Sequence, residues 1–224
     1  YKRAIDEIMR QKAHTLSAAE ENILAQCGEM AAAPENIFGM FNNADIKFPS
    51  IKDENGKRTE LTKGRYTVFL ESKNRNVRKA AFKALYATYG SYKNTLAACY
   101  AGSVRSDRFY SAARKFESCI AASLSSDNVP VEVYDNLIDS VHANLNKLGD
   151  YLKIRKKALG LSRLHMYDLY TPIVNMPAKK YAYEEGKKIV LAALAPMGKE
   201  YTDKIKKAYT DGWIDVRENQ GKTS

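Results

Sequence analysis

The sequence is poor in the residues from which disulfides, redox centres and metal sites are commonly built. Its 224 residues include three cysteines, three histidines and one tryptophan. The cysteines, Cys27, Cys99 and Cys119, are odd in number and lack the short spacings of zinc or redox motifs. This usage predicts free thiols in a reducing cytoplasm and no disulfide-stabilised fold.

Long apolar runs are missing as well. No segment approaches the roughly 20 consecutive apolar residues that cross a bilayer. The first ten residues have the spacing of an amphipathic helix, where a secretory signal would have an apolar stretch. We therefore expect a cytoplasmic protein without a membrane partner.

Positive charge is in excess, with 36 lysines and arginines against 26 aspartates and glutamates and a formal net charge of +10. Such a balance raises the possibility of a nucleic-acid partner. However, the basic clusters at residues 155–163, 179–188 and 204–207 alternate with apolar residues at helical spacing, which is typical of solvated helix faces. A nucleic-acid partner is therefore not favoured. A non-catalytic basic helical module for binding or scaffolding, for example on RNA, remains the alternative.

Near the N-terminus, the spacing of apolar residues predicts three helices. The opening residues form the first. Ser17 and Glu20 have the spacing of a capping box, so they predict the start of a second helix that runs to about Met30. Pro34 is expected to begin a short third helix, because proline is favoured in a first turn.

Two long apolar stripes predict two long helices that pack together. One stripe covers residues 77–103 and can be capped by Asn74, and the other covers residues 134–159 and ends at Gly160. A linker rich in proline and tyrosine follows, for which we expect an ordered loop or short strand. Two final helices are predicted at about residues 181–194 and 198–210.

The apolar period differs between residues 46 and 70. Alternating residues, the Asn55-Gly56 dipeptide and the β-branched and aromatic run at residues 66–69 predict a small hairpin or extended arm. Pro49 restricts the first strand to an edge. The predicted fold class is mainly α, a multi-helical architecture with one small β-hairpin or extended arm.

No catalytic constellation can be assembled from local spacing. None of His14, His142 and His165 has a partner positioned to share one helical face as a metal ligand. Nucleophile elbows and dinucleotide fingerprints are also absent. The final Gly-Lys-Thr-Ser resembles the end of a phosphate loop, but Val216 stands where the motif needs a glycine, five positions before Gly221. His165 is a candidate because it lies in the linker, and ordered loops often carry function.

Three stretches of the sequence resemble the oligoendopeptidase F family, a bacterial branch of the thimet-oligopeptidase-like zinc peptidases. They are "FLESKNRNVRKAAFKALYATYGSYKNTLAACYAG", "YDLYTPIVN" and "LAPMGKEYTDKIKKAYTDGWIDVRENQGKTS". The last is the most specific, since it matches the family pattern Gly-Trp-Ile-Asp…Asn-Lys-Gly-Lys-Arg-Ser. The matching residues are Gly212, Trp213, Asp215, Asn219, Gly221, Lys222 and Ser224, with departures at Gln220 and Thr223.

The resemblance implies the N-terminal and middle portion of a zinc-dependent oligoendopeptidase that hydrolyses internal bonds of short peptides. In the family, a later His-Glu-x-x-His helix and a further glutamate complete the zinc site, and these are not in the sequence. We therefore expect zinc in the parent enzyme, none in this fragment, and no activity of the fragment alone. The implied partners are oligopeptide substrates and the missing C-terminal catalytic half. A family member that has lost its zinc site is a further alternative.

The resemblance also sets the expected organisation and site. We expect an N-terminal helical region with the hairpin at residues 1–70 and a helical part of the peptidase domain at residues 71–224. No catalytic or metal-binding residue is expected within the chain. The candidates for the substrate cleft are Asn219, Gly221, Lys222, His165 and Tyr170.

Overall fold

A computed structural model describes residues 1–174 and 181–217, which are mainly helical with one two-stranded antiparallel sheet. The predicted fold class is confirmed. The three cysteines carry free thiols, as predicted. Within these two ranges, no helix combines the length and apolarity that crossing a bilayer requires.

The elements follow one another with short connections. In chain order, the α-helices of the described ranges are α1 (Lys2–Lys12), α2 (Ala18–Gln26), α3 (Gly28–Met40), α4 (Lys63–Glu71), α5 (Arg75–Ser91), α6 (Lys93–Ala113), α7 (Cys119–Ser125), α8 (Val131–Ala143), α9 (Leu145–Ala158), α10 (Tyr183–Ala193) and α11 (Lys199–Thr210). A π-helical turn (Phe41–Asp45) extends α3, and 3-10 turns occur at Met166–Asp168 and Ala195–Met197. The strands are β1 (Ser50–Lys52) and β2 (Arg58–Glu60).

The capping box at the start of α2 is confirmed. The backbone N–H of Glu20 donates to Ser17 Oγ, and the backbone N–H of Ser17 donates to Glu20 Oε2 at 2.9 Å. Two backbone donors at the helix end are thereby satisfied, as the spacing of these two residues predicted. The helix ends earlier than predicted, because the chain turns at Cys27 before α3.

The prediction that Pro34 begins a helix is wrong. It lies in the middle of α3, where proline removes a backbone donor. Its ring packs against α6 at Gly102, where an added Cβ would lie 2.7 Å from Pro34 Cγ. Close packing of α3 on α6 therefore holds Pro34 inside a helix that local sequence rules would have ended.

The hairpin is confirmed, but its second strand lies earlier than the pattern indicated. Ile51 of β1 stands opposite Thr59 of β2, and Gly56 in the connecting turn has a φ of +77°. The run at residues 66–69 lies in α4 instead, since Thr62 caps that helix by accepting the N–H of Arg65. A helix cap so close to the run overrides its β-favouring composition.

Each long stripe is divided into two helices by a single non-helical residue. Tyr92 separates α5 from α6, and Asn144 separates α8 from α9. The predicted ends are confirmed, with Asn74 capping α5 and Gly160 at a φ of +64° after α9. A one-residue interruption leaves the apolar spacing nearly intact, so periodicity alone does not reveal it.

The predicted packing of the two stripes on each other is wrong for the described residues. Leu137, Val141 and Leu148 in the second stripe are 60%, 53% and 52% exposed. The first stripe, by contrast, contributes buried residues from α5 to the core. The α8–α9 stripe is therefore left open on the surface of these residues.

The buried core joins the hairpin and α4 to the first turns of α5. It consists of Ile51, Leu61, Phe69, Val77, Ala81 and Leu85. These residues come from both sides of residue 70, so the start of α5 and the hairpin are stabilised together. The last two helices, α10 and α11, are confirmed, with the interruption at Ala195–Met197 where the sequence places a proline.

The basic cluster in α11 is paired with acids along the same helix. Lys204 Nζ lies 2.9 Å from Glu200 Oε1, and Lys206 Nζ lies 2.9 Å from Asp203 Oδ1. Such pairs at three- and four-residue spacing are typical of a solvated helix face. This arrangement supports the interpretation of these lysines as surface charge.

Candidate functional site

Both site candidates within the described residues, His165 and Tyr170, lie on one segment that packs against α5. This segment, residues 161–174, is irregular apart from the 3-10 turn at Met166–Asp168. A connection without regular structure needs other contacts to hold its backbone in place. Those contacts converge on one aspartate.

Asp168 is fully buried and both of its carboxylate oxygens are occupied. Oδ1 accepts from Arg75 Nε at 3.2 Å and from Arg78 Nη2 at 2.8 Å. Oδ2 accepts from Arg75 Nη2 at 2.9 Å and from the backbone N–H of His165 at 3.0 Å. A buried carboxylate with four charge-assisted or backbone donors is a rigid anchor for the segment.

The two arginines reach Asp168 because they stand three residues apart at the start of α5 and so share one face. Arg78 is only 3% exposed and its Nη1 also donates to the carbonyls of Ser72 and Lys73, at 2.7 and 3.1 Å. Arg78 therefore fixes the connection before α5 as well as the segment packed against it.

A third arginine attaches the segment to α9. Arg155 Nε donates to the backbone carbonyl of Asp168 at 3.1 Å, and its Nη2 donates to the carbonyl of Thr171. Thr171 Oγ1 in turn donates to the carbonyl of Leu70 at 3.3 Å. The segment is thus joined by side-chain hydrogen bonds to α4, α5 and α9.

The electrostatics keep Asp168 ionised. Burial by itself would raise the pKa of its carboxyl, but the hydrogen bonds from Arg75, Arg78 and the His165 N–H outweigh burial, so that the pKa lies below its ordinary value. Because its oxygens are already fully engaged, Asp168 is not placed to act as a general base or as a metal ligand. Its role in this structure is to hold the segment.

The segment gives its two candidate residues different surroundings. The ring of His165 stacks on that of Tyr167, with centroids 5.0 Å apart and 5° between the planes. Tyr170 is 60% exposed and lies close enough to Tyr66 to contribute to the perturbation of that phenol. Burial, with smaller contributions from Tyr86 and Tyr170, raises the pKa of Tyr66 to about 12. Within the described residues, no hydrogen bond joins His165 to Tyr170.

The remaining candidates, Asn219, Gly221 and Lys222, lie outside the described residues. Among residues 1–174 and 181–217, no group of three histidine, cysteine, aspartate or glutamate side chains is arranged to hold a metal ion. These residues therefore do not fit a zinc site by themselves.

Sequence reasoning missed the anchor of the segment. Asp168 is 93 residues from Arg75, 90 from Arg78 and 13 from Arg155. The one available signal was that Asp168 is the single acidic residue in the linker of residues 161–177. A lone acid among aromatic and apolar residues needs a cationic partner if the linker packs.

Comparison with known proteins gives a consistent result. Residues 68–224 match the family model described as "Peptidase family M3", and residues 1–48 match the one described as "Oligopeptidase F". Oligopeptidase PepF of Bacillus subtilis is 47% identical over 222 residues, which are 99% of this chain and 33% of that protein. An oligoendopeptidase F homolog of Lactococcus lactis is 43% identical over 224 residues, or 100% of this chain and 37% of that protein.

A solved structure agrees. The crystal structure of oligoendopeptidase-F from Enterococcus faecium is similar to this chain with a TM-score of 0.75 and 39% identity, over 95% of this chain and 39% of that one. The chain thus spans between about a third and two fifths of the length of these relatives.

Proposed function

The chain belongs to peptidase family M3, and on that basis we propose that it is one portion of a zinc-dependent oligoendopeptidase that hydrolyses internal bonds of short peptides. The match of residues 68–224 to the family model carries the proposal. The names of the similar proteins from Bacillus and Lactococcus support the substrate class. The bacterial relatives also support a cytoplasmic location as part of the proposal.

In this proposal the 224 residues form part of the protein around the zinc site but do not bind the zinc. The described residues hold no suitable ligand cluster, so zinc would be bound by residues elsewhere in the longer protein. When bound, zinc would supply an activated water and polarise the peptide carbonyl. The helices of this chain would form part of the wall of a narrow channel, which would admit unfolded peptides and exclude folded proteins. The chain alone would be inactive.

We also propose that the segment anchored by Asp168 borders the substrate cleft. Tyr170 is exposed on a backbone that is held at several points, so it can offer an aromatic surface and a hydroxyl to a peptide without being reordered on binding. The proposed cleft residues are His165, Tyr170, Asn219, Gly221 and Lys222. The separate family matches at residues 1–48 and 68–224 support the proposed division into residues 1–70 and 71–224, and because one buried core joins both sides of residue 70, the two regions would pack as a unit.

The activity is tested with the longer protein of which this chain is a portion. Internally quenched peptides of increasing length, and a folded protein that carries the same cleavage sequence, would be compared as substrates. We expect cleavage of the peptides only, loss of cleavage with a chelator and recovery with zinc. Cleavage that survives removal of the metal, or cleavage of the folded protein at the same rate, would contradict the proposal.

The cleft assignment is tested by replacing Tyr170 with alanine in the longer protein. We expect a severalfold rise in KM for peptides with little change in kcat, because a contact made equally in ground and transition states is lost. Tyr100→Ala is the control, since Tyr100 is also exposed but lies on α6. Equal effects of the two substitutions would count against a cleft position for Tyr170.

A further inference from the structure

The chain exposes far more surface than a folded protein of its size. Its accessible surface is 17130 Å², whereas a folded monomer of 25.2 kDa exposes about 10,000 Å². The excess is on the order of several thousand Å², larger than a standard interface between two proteins. A substantial part of this surface is therefore of the kind that a complete protein covers.

Two consecutive helices, α8 and α9, carry one continuous part of the exposed apolar surface, which also includes residues elsewhere such as Ile5 and Ile8 of α1. We define the α8–α9 apolar face by eight of the nine exposed large apolar residues of these helices: Val133, Tyr134, Leu137, Ile138, Val141, Leu145, Leu148 and Tyr151. On α8, Tyr134, Leu137 and Val141 recur at intervals of three and four, and Val133 and Ile138 flank them, so the five residues share one side of the helix. The acids of α8, such as Asp135 and Asp139, lie on the other side. An uncharged face of this extent is typical of a permanent interface.

We infer that the α8–α9 apolar face is the surface on which the rest of the longer protein docks. The chain covers 33% to 39% of its relatives, so a length of polypeptide about one and a half to two times its own is available to cover this face. The inference rests on the proposal that the chain is one portion of a longer peptidase, but not on peptide hydrolysis.

This docking surface adjoins the candidate site. Tyr151, at the edge of the face, accepts a hydrogen bond from Arg155 Nη1 at 3.2 Å. Arg155 also holds the backbone carbonyls of Asp168 and Thr171. The docked part of the protein would therefore lie beside the segment that carries Tyr170.

The inference is tested by thiol accessibility in the longer protein. Leu137→Cys places a thiol on the apolar face, and Asn136→Cys places one on the adjacent exposed position, which points away from that face. Native protein would be treated with iodoacetamide, and modification of each site would be followed by mass spectrometry of the corresponding peptide. We expect Leu137→Cys to react at least about tenfold more slowly than Asn136→Cys, with the difference lost after denaturation.

Val141→Cys is a second variant on the same face, in case Leu137→Cys does not fold. Equal reaction at positions on and off the face would overturn the inference, because the face would then be free. Protection that disappears on dilution, together with a change from dimer to monomer, would also overturn it, because a second copy would then be the occupant. Peptide hydrolysis by the unmodified protein is measured separately, so failure of the proposed activity would be distinguishable from failure of this docking.

Discussion

Replacing Asp168 with asparagine tests whether this residue anchors the segment at residues 161–174. The asparagine keeps the shape of the side chain but removes its charge and replaces one acceptor oxygen with an N–H₂ donor. Asp168 is 0% exposed and Arg78 is 3% exposed, so the substitution leaves a buried guanidinium without its counter-charge. Such a loss is far more damaging than the loss of a surface ion pair.

We expect Asp168→Asn to lower the free energy of unfolding by about 3 kcal/mol, near the lower end of the roughly 3–5 kcal/mol range for breaking a buried pair. The lower end applies because Arg75 is partly exposed and Arg78 retains its bonds to the carbonyls of Ser72 and Lys73. Urea denaturation followed by circular dichroism would measure the change.

Asp150 provides a matched control. It pairs with Lys153 at the same 2.9 Å separation, but the pair lies on the surface, with the lysine side chain 81% exposed and the aspartate side chain 66% exposed. Asp150→Asn should change the free energy of unfolding by no more than about 0.5 kcal/mol. Similar losses from Asp168→Asn and Asp150→Asn would contradict this prediction, since burial would then have no effect on the strength of the pair.

Two further predictions concern the stability of the fold at low pH and the close packing of Gly102 against Pro34. The folded-state pKa of Asp168 lies below its ordinary value of 3.8, so the stabilisation from Asp168 is present above that value and is lost as the pH falls towards the native pKa. Urea titrations should show this loss, and Asp168→Asn should flatten it; identical acid profiles would contradict the assignment. Gly102→Ala should cost about 1–3 kcal/mol because its Cβ would lie 2.7 Å from Pro34 Cγ, whereas Gly149→Ala, with open space, should be neutral or slightly stabilising. Thermal denaturation compares these two, and equal melting temperatures would argue against the close approach.

The local features of the fold follow from neighbouring residues and were predictable. Ser17 and Glu20 specify a helix start, Gly160 specifies a helix end, and the Asn55-Gly56 pair specifies the turn of the hairpin. Each of these features depends on contacts within a few residues along the chain, so the neighbouring residues are enough to predict it. The family resemblance likewise depended on contiguous motifs, and the family matches confirm it.

The helical class, the helix caps, the hairpin turn and the family could all be predicted from the amino-acid sequence. The folded structure was needed to show that Asp168 meets Arg75 and Arg78, that Pro34 remains inside α3, and that the α8–α9 apolar face is exposed. The physical reason is that a capping or turn preference is an energy between neighbours along the chain. Burial of a charge or an apolar face is instead an energy between residues about ninety positions apart, or between these residues and the rest of a longer protein.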